Sequence, residues 1–494
     1  MCGIVGIASG NEYSTVKRML QALRHRRPDD IGLHRDPDHS LGHARLSIID
    51  LGGGKQPMSD AEARSHVVFN GEIYNYQSLR RDIGAERFAT HSDTEVLLHL
   101  SQQAAEPSEW VSRLDGMFAF AVARGEDLTL ARDPLGIKPL YVGSRNGALA
   151  FGSEIKAMLV ACDEVSEFPA GHCYCPSTGL QPYYSLDPDD EEVRDVEQAR
   201  RAVRARLEEA VRKRLVADVP VGVFLSGGLD SSLIAALARK YKDPLDSFAV
   251  GTEDSEDLAR ARQVAEFLGT RHHERVYTLE EALAALPEVI YYLESFDCAL
   301  VRSALPNFFL ARLASDHVKV ALSGEGADEL FAGYHYLKSF EPDSLQDELL
   351  HITKALHNTN LQRCDRMSMA HGLEVRVPFL DVDLVRYAFR MAPRLKMRGS
   401  AQTEKWILRR VAEALLPEDV VWRRKAKFAI GSGLGGRLGD FAEERISDAE
   451  FRRERQIADG VVLRSKEELY YYRIFRQQYP AEMLLPLIGR SRSV

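Results

Sequence analysis

Apolar positions follow two different periods along the chain, and the change falls near residue 190. Before it, short β-prone runs alternate with Asn-Gly, Asp-Pro and Gly turns, which is typical of a β-rich domain. Apolar residues three or four positions apart predict helices over residues 13–24, 76–81 and 94–103. We therefore expect the first part to be mainly β-sheet with a few covering helices.

The second part of the chain alternates strands with helices. After an amphipathic helix near 196–215, the pattern predicts strands at 221–225, 247–251, 273–277 and 318–322, and helices at 233–241, 258–268, 281–293 and 304–314. Such alternation indicates a parallel sheet covered by helices, with ligands in the crevice at the carboxyl ends of the strands. The last third is mainly helical in pattern.

An acidic, turn-prone stretch at residues 185–192 separates the two patterns. A chain of 494 residues is expected to form about two to four domains. The sequence therefore predicts a first domain over residues 1–187 and a second over residues 193–494.

Composition narrows the class of protein. With 64 basic and 73 acidic residues the formal charge is -9, which argues against a nucleic acid or an anionic membrane as the main partner. The sequence has no membrane-spanning apolar stretch and no secretory pattern at its N-terminus, so we expect a cytoplasmic protein. Six cysteines are too few for a disulfide framework, and Cys173 and Cys175 are interpreted as strand residues rather than metal ligands.

The stretch 219–232, VPVGVFLSGGLDSS, reads as a strand, a glycine turn and a helix start. Such a turn directs backbone N–H groups and a helix dipole at one point, which suits a phosphate. The hydroxyls of Ser226, Ser231 and Ser232 add donors, and Asp230 could hold a magnesium ion. The alternative is a tight turn with a serine cap.

Two further glycine-rich strings need different interpretations. SGEGADE at 323–329 again follows a strand and adds carboxylates to the pattern of the first turn. GSGLGG at 431–436 satisfies G-x-G-x-x-G but lies outside the alternating region, so we predict a flexible loop there rather than a dinucleotide site. The Walker A pattern does not occur.

Cys2 directly follows the initiator methionine. Removal of Met1 would place a thiol nucleophile and an α-amine with a pKa of about 8, suited to a general base, on one residue. The alternative is that Cys2 is a small apolar residue that begins a strand.

The strings MCGIVGI, HARLSIIDL, FNGEIYNY, SDTEV, LDGMFAFA and RDPLGIKPLY resemble, in this order, a class II glutamine amidotransferase domain. Together with SGGLDSS, they make the whole chain resemble the glutamine-hydrolysing asparagine synthetase family. This resemblance implies an α/β two-domain protein. An N-terminal-nucleophile αββα glutaminase would precede a doubly wound parallel-sheet ATP-pyrophosphatase domain with a helical C-terminal part.

The resemblance implies a glutamine site in the first domain. Cys2 would be the nucleophile, and Asn70 and Gly71 would form the oxyanion hole. Arg45 would hold the α-carboxylate of glutamine, and Glu72 and Asp93 would hold its α-ammonium group. Outside this set, Arg27 departs from the glycine usual in the family, which puts glutamine affinity or loop mobility in question.

In the second domain the resemblance implies an adenylating site for ATP. Its ATP-binding residues would be Leu225, Ser226, Gly227, Gly228, Asp230, Ser231, Val250, Ser323 and Gly324. Asp230 and Asp328 would hold Mg²⁺ on pyrophosphate, and Glu325 would support formation of the acyl-adenylate. Lys425 would neutralise pyrophosphate or help ammonia attack; the alternative is an exposed lysine in a basic run.

The implied reaction makes asparagine from aspartate, with glutamine as nitrogen donor and a β-aspartyl-AMP intermediate, and releases AMP and pyrophosphate. Arg302 would bind the acceptor acid, but Ala299 and Leu300 replace threonines of the family. Another carboxylic acid is therefore the main alternative acceptor. A β-lactam-synthetase-like enzyme, which lacks the terminal cysteine, and a non-catalytic protein are further alternatives. Relatives are commonly homodimers, which the resemblance also implies as an option here.

Overall fold

The computed structural model describes residues 2–26, 29–104, 106–187, 192–399, 402–423 and 431–492. The chain forms two compact units. The first comprises Met1–Ser185, Val216–Val219 and Met369–Glu374, and the second Leu186–Leu215, Pro220–Ser368 and Val375–Val494. The predicted domain limits, 1–187 and 193–494, remain a prediction about independent domains.

Two antiparallel sheets of six strands each build the first unit. Their strands are β1 Gly3–Ile7, β2 Asp30–Arg35, β3 Ser40–Arg45, β4 Met58–Ser59, β5 Ser65–Ile73, β6 Gly116–Arg124, β7 Asp127–Arg132, β8 Tyr141–Arg145, β9 Ala148–Gly152, β10 Val165–Glu167, β11 His172–Cys175 and β12 Gly179–Pro182. The strand orders are β10-β8-β9-β1-β3-β2 and β12-β11-β7-β6-β5-β4. Cys173 and Cys175 lie on β11, which confirms their assignment to a strand.

Helices accompany both sheets of the first unit. The α-helices are Tyr13–Ala22, Tyr76–Ile83, Glu95–Ser101, Pro107–Val111 and Ile155–Met158, and the 3-10 helices are Gly10–Glu12, Arg24–Arg26 and Ala85–Arg87. The three helices expected from apolar spacing are thus confirmed, with ends shifted by a few residues.

Side-chain alternation along β6 explains the layering of the first unit. Ala119 and Ala121 belong to the core that also holds Ile4 and Phe151 of the other sheet. The intervening Phe120 belongs to a second core, which includes residues of the helices. Because neighbouring residues of a strand face opposite sides, one strand serves both cores. The result is the predicted αββα arrangement, which is confirmed.

The second unit contains a five-stranded sheet. Its strands are β13 Val221–Phe224, β14 Asp246–Gly251, β15 Arg271–Val276, β16 Val320–Leu322 and β17 Glu374–Arg376, in the order β15-β14-β13-β16-β17. The pairs among β13, β14, β15 and β16 are parallel. The order reverses direction at β13 and β16, so the loops after these two strands flank the switch point, where open sheets of this kind bind ligands. A small hairpin, β18 Gln456–Ala458 and β19 Val461–Val462, lies later in the chain.

The rest of the second unit is helical, as predicted for its C-terminal part. The α-helices are Val196–Arg214, Leu229–Arg239, Glu256–Leu268, Leu279–Leu293, Cys298–Ser315, Ala327–Leu330, Pro342–Lys354, Asn360–Met369, Val382–Arg390, Pro393–Lys396, Trp406–Ala412, Glu418–Val421, Arg437–Arg445, Asp448–Glu454, Lys466–Gln478 and Ala481–Leu484. The 3-10 helices are His335–Ser339, Ala355–Asn358, Pro378–Leu380 and Leu485–Leu487. Among the described residues, none of these helices is long and apolar enough to cross a membrane.

Two helices begin four or more residues earlier than predicted. Leu229–Arg239 starts directly after Gly228, because the polar residues of its first turn hide the apolar period. Cys298–Ser315 starts six residues before the predicted position 304. Proline is common in the first turn of a helix, so Pro306 suggested a start near residue 304. In the structure Pro306 lies inside the helix, and the Asp297 side chain caps the true start.

Candidate active sites

Cys2 is the residue directly before β1, and it is buried in the core of the first unit. Its backbone N–H donates to Asn70 Oδ1 at 3.0 Å, and its Sγ lies 3.8 Å from the carbonyl oxygen of Leu46. Burial raises the pKa of the Cys2 thiol above its ordinary value. The thiol is therefore protonated at neutral pH, and a nearby base must remove its proton before it can attack a carbon atom.

Asn70 presents a hydrogen-bond donor beside Cys2. The Asn70 side chain is fully buried, and its Nδ2 has no hydrogen-bond partner among the described residues. Leaving such a donor unpaired costs about 1–3 kcal/mol, so its persistence is a reason to expect a ligand there. An amide donor in this place can stabilise an oxygen that becomes negatively charged.

Gly71 extends this donor set along β5. The N–H groups of Phe69 and Ile73 donate to Gln56 Oε1 and Asp93 Oδ2, away from β6. Strand alternation puts the Gly71 N–H on the same side. The φ of Gly71 is 154°, and a Cβ there would lie 2.0 Å from the Met117 carbonyl oxygen, so no other residue fits.

The three charged residues of the predicted glutamine site, Arg45, Glu72 and Asp93, are all buried. Arg45 donates to the carbonyl oxygens of Asp50 and Leu51 at 2.9 and 3.1 Å. Glu72 follows Gly71, and Asp93 is bound to the Ile73 N–H at 2.9 Å. One guanidinium and two carboxylates match the charges of a free α-amino acid.

Cys2 also contacts a buried ion cluster that was not predicted from the sequence. Arg26 Nε donates to the Cys2 carbonyl oxygen at 2.9 Å, and its Nη1 donates to Glu154 at 2.7 Å. Glu154 also contacts His25 at 3.0 Å and Lys156 at 2.7 Å. These residues lie in the sequence strings RHRRPDD at 24–30 and FGSEIK at 151–156, and nothing in the sequence paired them. The predicted effects of Met1 and Arg27 concern residues outside those described.

The first glycine-rich turn of the second unit is held by its own serines. Ser231 Oγ lies 3.2 Å from the Ser226 backbone nitrogen and 3.1 Å from Ser226 Oγ. Gly227 has a φ of 68°, and a Cβ there would lie 2.5 Å from the Arg260 backbone. The backbone thus adopts the left-handed conformation that glycine allows, and the turn opens the N-terminus of helix Leu229–Arg239 to an anion.

A cavity of about 730 Å³ lies beside this turn in the second unit. The predicted residues on its wall are Leu225, Ser226, Gly228, Asp230, Ser231, Val250, Arg302, Ser323, Gly324, Glu325 and Asp328. The two glycine-rich loops touch, since a Cβ at Gly324 would lie 3.0 Å from the Asp230 Cβ. Gly227 belongs to the same turn without lining the cavity, and Lys425 falls outside the described residues.

Lys405, for which no role was predicted from the sequence, links the two predicted magnesium ligands. Its Nζ contacts both Asp230 Oδ2 and Asp328 Oδ1. Burial opposes the charge of Lys405, but the two carboxylates outweigh it and raise the pKa of the ammonium group. Gly333 leaves the space for this contact, because a Cβ there would lie 2.2 Å from the Lys405 Cε. The carboxylates therefore converge on a single cation.

Glu325 forms a second internal ion pair in the cavity, with the buried Arg363. Nearby, Glu329 accepts hydrogen bonds from Tyr334 and, at 3.0 Å, from Asn360 Nδ2. Burial, together with the charge of Asp328, raises the pKa of Glu329 to about 7. The wall thus combines a paired carboxylate with one that titrates near neutral pH.

Arg302 lines the cavity but is engaged by Glu467. Its Nε donates to Glu467 Oε1 at 2.8 Å, and its Nη2 donates to the other oxygen, so the pair is bidentate. Tyr471 also donates to Glu467, at 2.7 Å. The hydrogen bond to Glu467 raises the pKa of Arg302. Ala299 and Leu300 add apolar wall on the same helix turn.

The segment 431–436, for which we predicted a flexible loop, is hydrogen-bonded to another part of the second unit. Its Ser432 carbonyl oxygen accepts the Thr252 N–H at 2.9 Å, and Ser255 donates to the Gly431 carbonyl oxygen at 2.7 Å. Gly435 and Gly436 lie on the cavity wall. The segment is therefore attached to the loop after β14, a long-range contact that no local pattern encodes.

The sequence matches two known family profiles. Residues 1–174 match one described as a glutamine amidotransferase domain. Residues 202–346 and 338–484 match one described as asparagine synthase.

Curated relatives resemble the chain over nearly its whole length. It is 37% identical to the glutamine-hydrolyzing asparagine synthetase 2 of Arabidopsis thaliana, over 97% of this chain and 88% of the relative. It is 38% identical to the glutamine-hydrolyzing asparagine synthetase B of Escherichia coli strain K12, over 97% of this chain and 92% of the relative. The maize enzyme is 37% identical, over 98% and 87% respectively. These matches confirm the resemblance seen in the motifs: the chain is an enzyme of the ligase class and belongs to the glutamine-hydrolysing asparagine synthetase family.

Proposed function

We propose that this enzyme makes asparagine from aspartate and ATP, with glutamine as the nitrogen donor. The observation that carries the proposal is the shared cavity: both glycine-rich loops, Asp230, Asp328 and Glu325 face one space of about 730 Å³ at the switch point of the sheet. Backbone N–H groups and carboxylates in that arrangement suit the polyphosphate of ATP. The residue roles below belong to the same proposal.

In the first unit, the Cys2 sulfur attacks the side-chain carbonyl carbon of glutamine. Asn70 Nδ2 and the Gly71 N–H stabilise the resulting oxyanion, and Arg45, Glu72 and Asp93 hold the α-carboxylate and α-ammonium group. The carbon–nitrogen bond breaks, ammonia leaves, and water then hydrolyses the γ-glutamyl thioester. After removal of Met1, the α-amine of Cys2 takes the thiol proton and returns it to the leaving nitrogen.

In the second unit, the acceptor carboxylate attacks the α-phosphorus of ATP. Pyrophosphate leaves, an acyl-AMP remains, and ammonia displaces AMP to give the amide. The loop 226–231 holds the phosphates through its N–H and hydroxyl groups, while Leu225 and Val250 contact the nucleoside. Glu325 supports adenylate formation, and Lys425 neutralises pyrophosphate or assists ammonia.

Asp230 and Asp328 fit a magnesium ion. Both already contact one cation, the Lys405 ammonium group, so their oxygens converge on one position. Hard carboxylate oxygens are the ligands that Mg²⁺ takes alongside phosphate oxygens. When bound there, Mg²⁺ would neutralise and orient the phosphates, and Lys405 would turn toward the same anion.

Product analysis tests the proposal. Enzyme, ATP, Mg²⁺, glutamine and a panel of carboxylic acids, aspartate first, are incubated, and AMP, pyrophosphate and the amide are measured. Aspartate is expected to give asparagine, AMP and pyrophosphate in equal amounts. Formation of ADP and phosphate, or no AMP with aspartate while another acid reacts, would overturn it.

A different acceptor acid is the second candidate, and the Arg302 environment favours it. The Arg302 guanidinium group already forms an ion pair with Glu467, and Ala299 and Leu300 have no hydroxyl groups. Glu467→Gln, which keeps the shape but removes the anion, separates the two. If Arg302 binds aspartate, the variant lowers KM for aspartate; if the acceptor contacts the apolar wall instead, KM for the true acceptor stays unchanged.

The remaining predictions concern the whole protein. We infer a glutaminase domain over 1–187, a synthetase domain over 193–494, a homodimer and a cytoplasmic location. Separate expression of the two segments and light scattering of the full chain test the first three.

A further inference from the structure

A cluster of histidines and one carboxylate lies in the first unit, apart from the residues of the glutamine site. His34 lies on β2, Asp36 in the turn that follows, and His66 on β5. One nitrogen or oxygen atom from each of the three lies within 4.8 Å of the other two. Since β2 and β5 belong to different sheets, the cluster connects the two layers.

Asp36 is oriented by its own turn. Its Oδ1 accepts the backbone N–H groups of Asp38 and His39 at 2.8 and 2.6 Å. Its Oδ2 lies 3.1 Å from His34 Nε2. Neighbouring ligands of a tetrahedral zinc ion, at bonds of about 2.0–2.1 Å, are roughly 3.3 Å apart, so these two atoms already match one edge of such a site.

His66 has a fixed ring orientation. Its Nδ1 lies 2.8 Å from Ser59 Oγ, which leaves Nε2 as the atom able to bind an ion. Metal-binding histidines usually have this second hydrogen bond, which sets their tautomer. His66 is buried, whereas His34 and Asp36 are partly exposed, so an ion can enter from solvent.

The rings of His34 and His66 stack, with centroids 3.7 Å apart and planes inclined by 27°. A metal ion lies in the plane of each ring that binds it, so binding would open the stack and draw the three ligand atoms together.

His39 provides an independent observation. Its ring is 1% exposed, and neither ring nitrogen has a hydrogen bond among the described residues. Its Nδ1 lies 3.4 Å from Asp36 Oδ1. A buried imidazole without a hydrogen bond is costly, and an ion or an ion-bound water at Asp36 would give it a partner.

We propose that His34, Asp36 and His66 bind one divalent transition-metal ion, with zinc as the representative, and that this ion ties β2 to β5. Two imidazoles and one carboxylate suit zinc, nickel and copper better than magnesium or calcium. The site is separate from the proposed amide synthesis and does not depend on it.

Zinc titration of the full chain, after treatment with a chelator, tests the proposal. Competition with a chromophoric chelator measures stoichiometry and affinity, and cobalt as a spectroscopic probe reports the ligand type. We expect one tight zinc ion per chain, a cobalt spectrum without a thiolate charge-transfer band, and a higher Tm with zinc.

Variants locate the ion. Asp36→Asn keeps an oxygen for the turn N–H groups, and His66→Gln keeps a polar group beside Ser59; each is expected to weaken zinc binding about 100-fold, and Ser59→Ala about tenfold. His172→Gln, a partly exposed histidine on β11, is the control and should bind as the wild type does.

Three results would overturn the site. They are no stoichiometric zinc in the wild type, equal affinity in all variants, and a thiolate band that assigns the ion to cysteine. Far-UV circular dichroism checks folding first; if His66→Gln does not fold, Asp36→Asn and Ser59→Ala decide.

Discussion

The two candidate sites differ in whether their key polar groups are paired with other groups of the protein. Beside Cys2, the buried Asn70 Nδ2 has no hydrogen-bond partner among the described residues. In the cavity of the second unit, charges are paired with one another: Lys405 with two aspartates, Glu325 with Arg363, and Arg302 with Glu467. The first site thus has an unpaired donor in place, as the proposed oxyanion role requires, whereas a ligand of the second must replace internal partners.

This difference follows from the number of charged groups that each site contains. The donor at Asn70 is fixed by a strand and by a buried ion cluster behind Cys2, so it stays in place without a ligand. The cavity of the second unit, which we propose receives the polyphosphate of ATP, contains many charges, and burying them unpaired would cost several kcal/mol each. Internal pairing stabilises the free cavity at the expense of some binding free energy. The following experiments test this contrast.

Removal of the nucleophile should have the largest effect. Cys2→Ala is expected to lower glutamine-dependent amide synthesis by more than about 10⁴-fold, because the covalent step is lost. Synthesis with added ammonia should continue at the wild-type rate. Cys162→Ala, at another free and buried cysteine of the first unit, serves as the control and should retain glutamine use. Equal loss with both nitrogen sources would show that Cys2 acts on the fold instead.

The unpartnered donor is tested by Asn70→Asp. Aspartate keeps an oxygen for the Cys2 N–H but replaces the Nδ2 donor with an oxygen. We expect kcat of glutamine hydrolysis to fall about 10²–10³-fold, the range for loss of one oxyanion donor. Asn70→Ala, which removes both atoms, should be at least as slow. A decrease below about fivefold would place the oxyanion elsewhere.

The paired cavity is tested by Lys405→Met. Removing one partner of a buried ion group costs about 3–5 kcal/mol, because Asp230 and Asp328 are left facing each other. Magnesium should raise the free energy of unfolding of the variant by part of this amount and that of the wild type by much less. Chemical unfolding measures both values. Lys240→Met breaks the exposed pair with Glu208 and should cost less than about 1 kcal/mol. An equal response of both variants to magnesium would contradict convergence of the aspartates on a cation.

The smallest expected effect is a pH dependence from Glu329. Its folded-state pKa of about 7 exceeds the ordinary 4.5, so between these values the folded state binds more protons than the unfolded state. Stability therefore decreases as pH rises through this window. Glu329→Gln should gain a few degrees of Tm relative to the wild type between pH 5 and pH 8. Glu413→Gln, at an exposed residue directly after helix Trp406–Ala412, should follow the wild type. Parallel curves of Tm against pH for Glu329→Gln and the wild type would contradict the pKa shift of Glu329.

The sequence predicted elements whose causes are local. The strand, turn and helix around 221–239 were recognisable because apolar period, Gly227 and the serines all lie within a few residues. The early helix starts at Leu229 and Cys298 were missed, since polar first turns and Pro306 hide the period.

What the sequence alone determined was the family, the two-part architecture and the two glycine-rich loops that line the cavity. Only the tertiary structure decided which charges meet: Lys405 joins Asp230 across 175 positions, Arg302 joins Glu467 across 165, and Arg26 joins Glu154 across 128. Backbone conformation depends on near neighbours and is written in short strings. Contacts between long side chains depend on how helices and strands pack, and no periodicity of the chain encodes them.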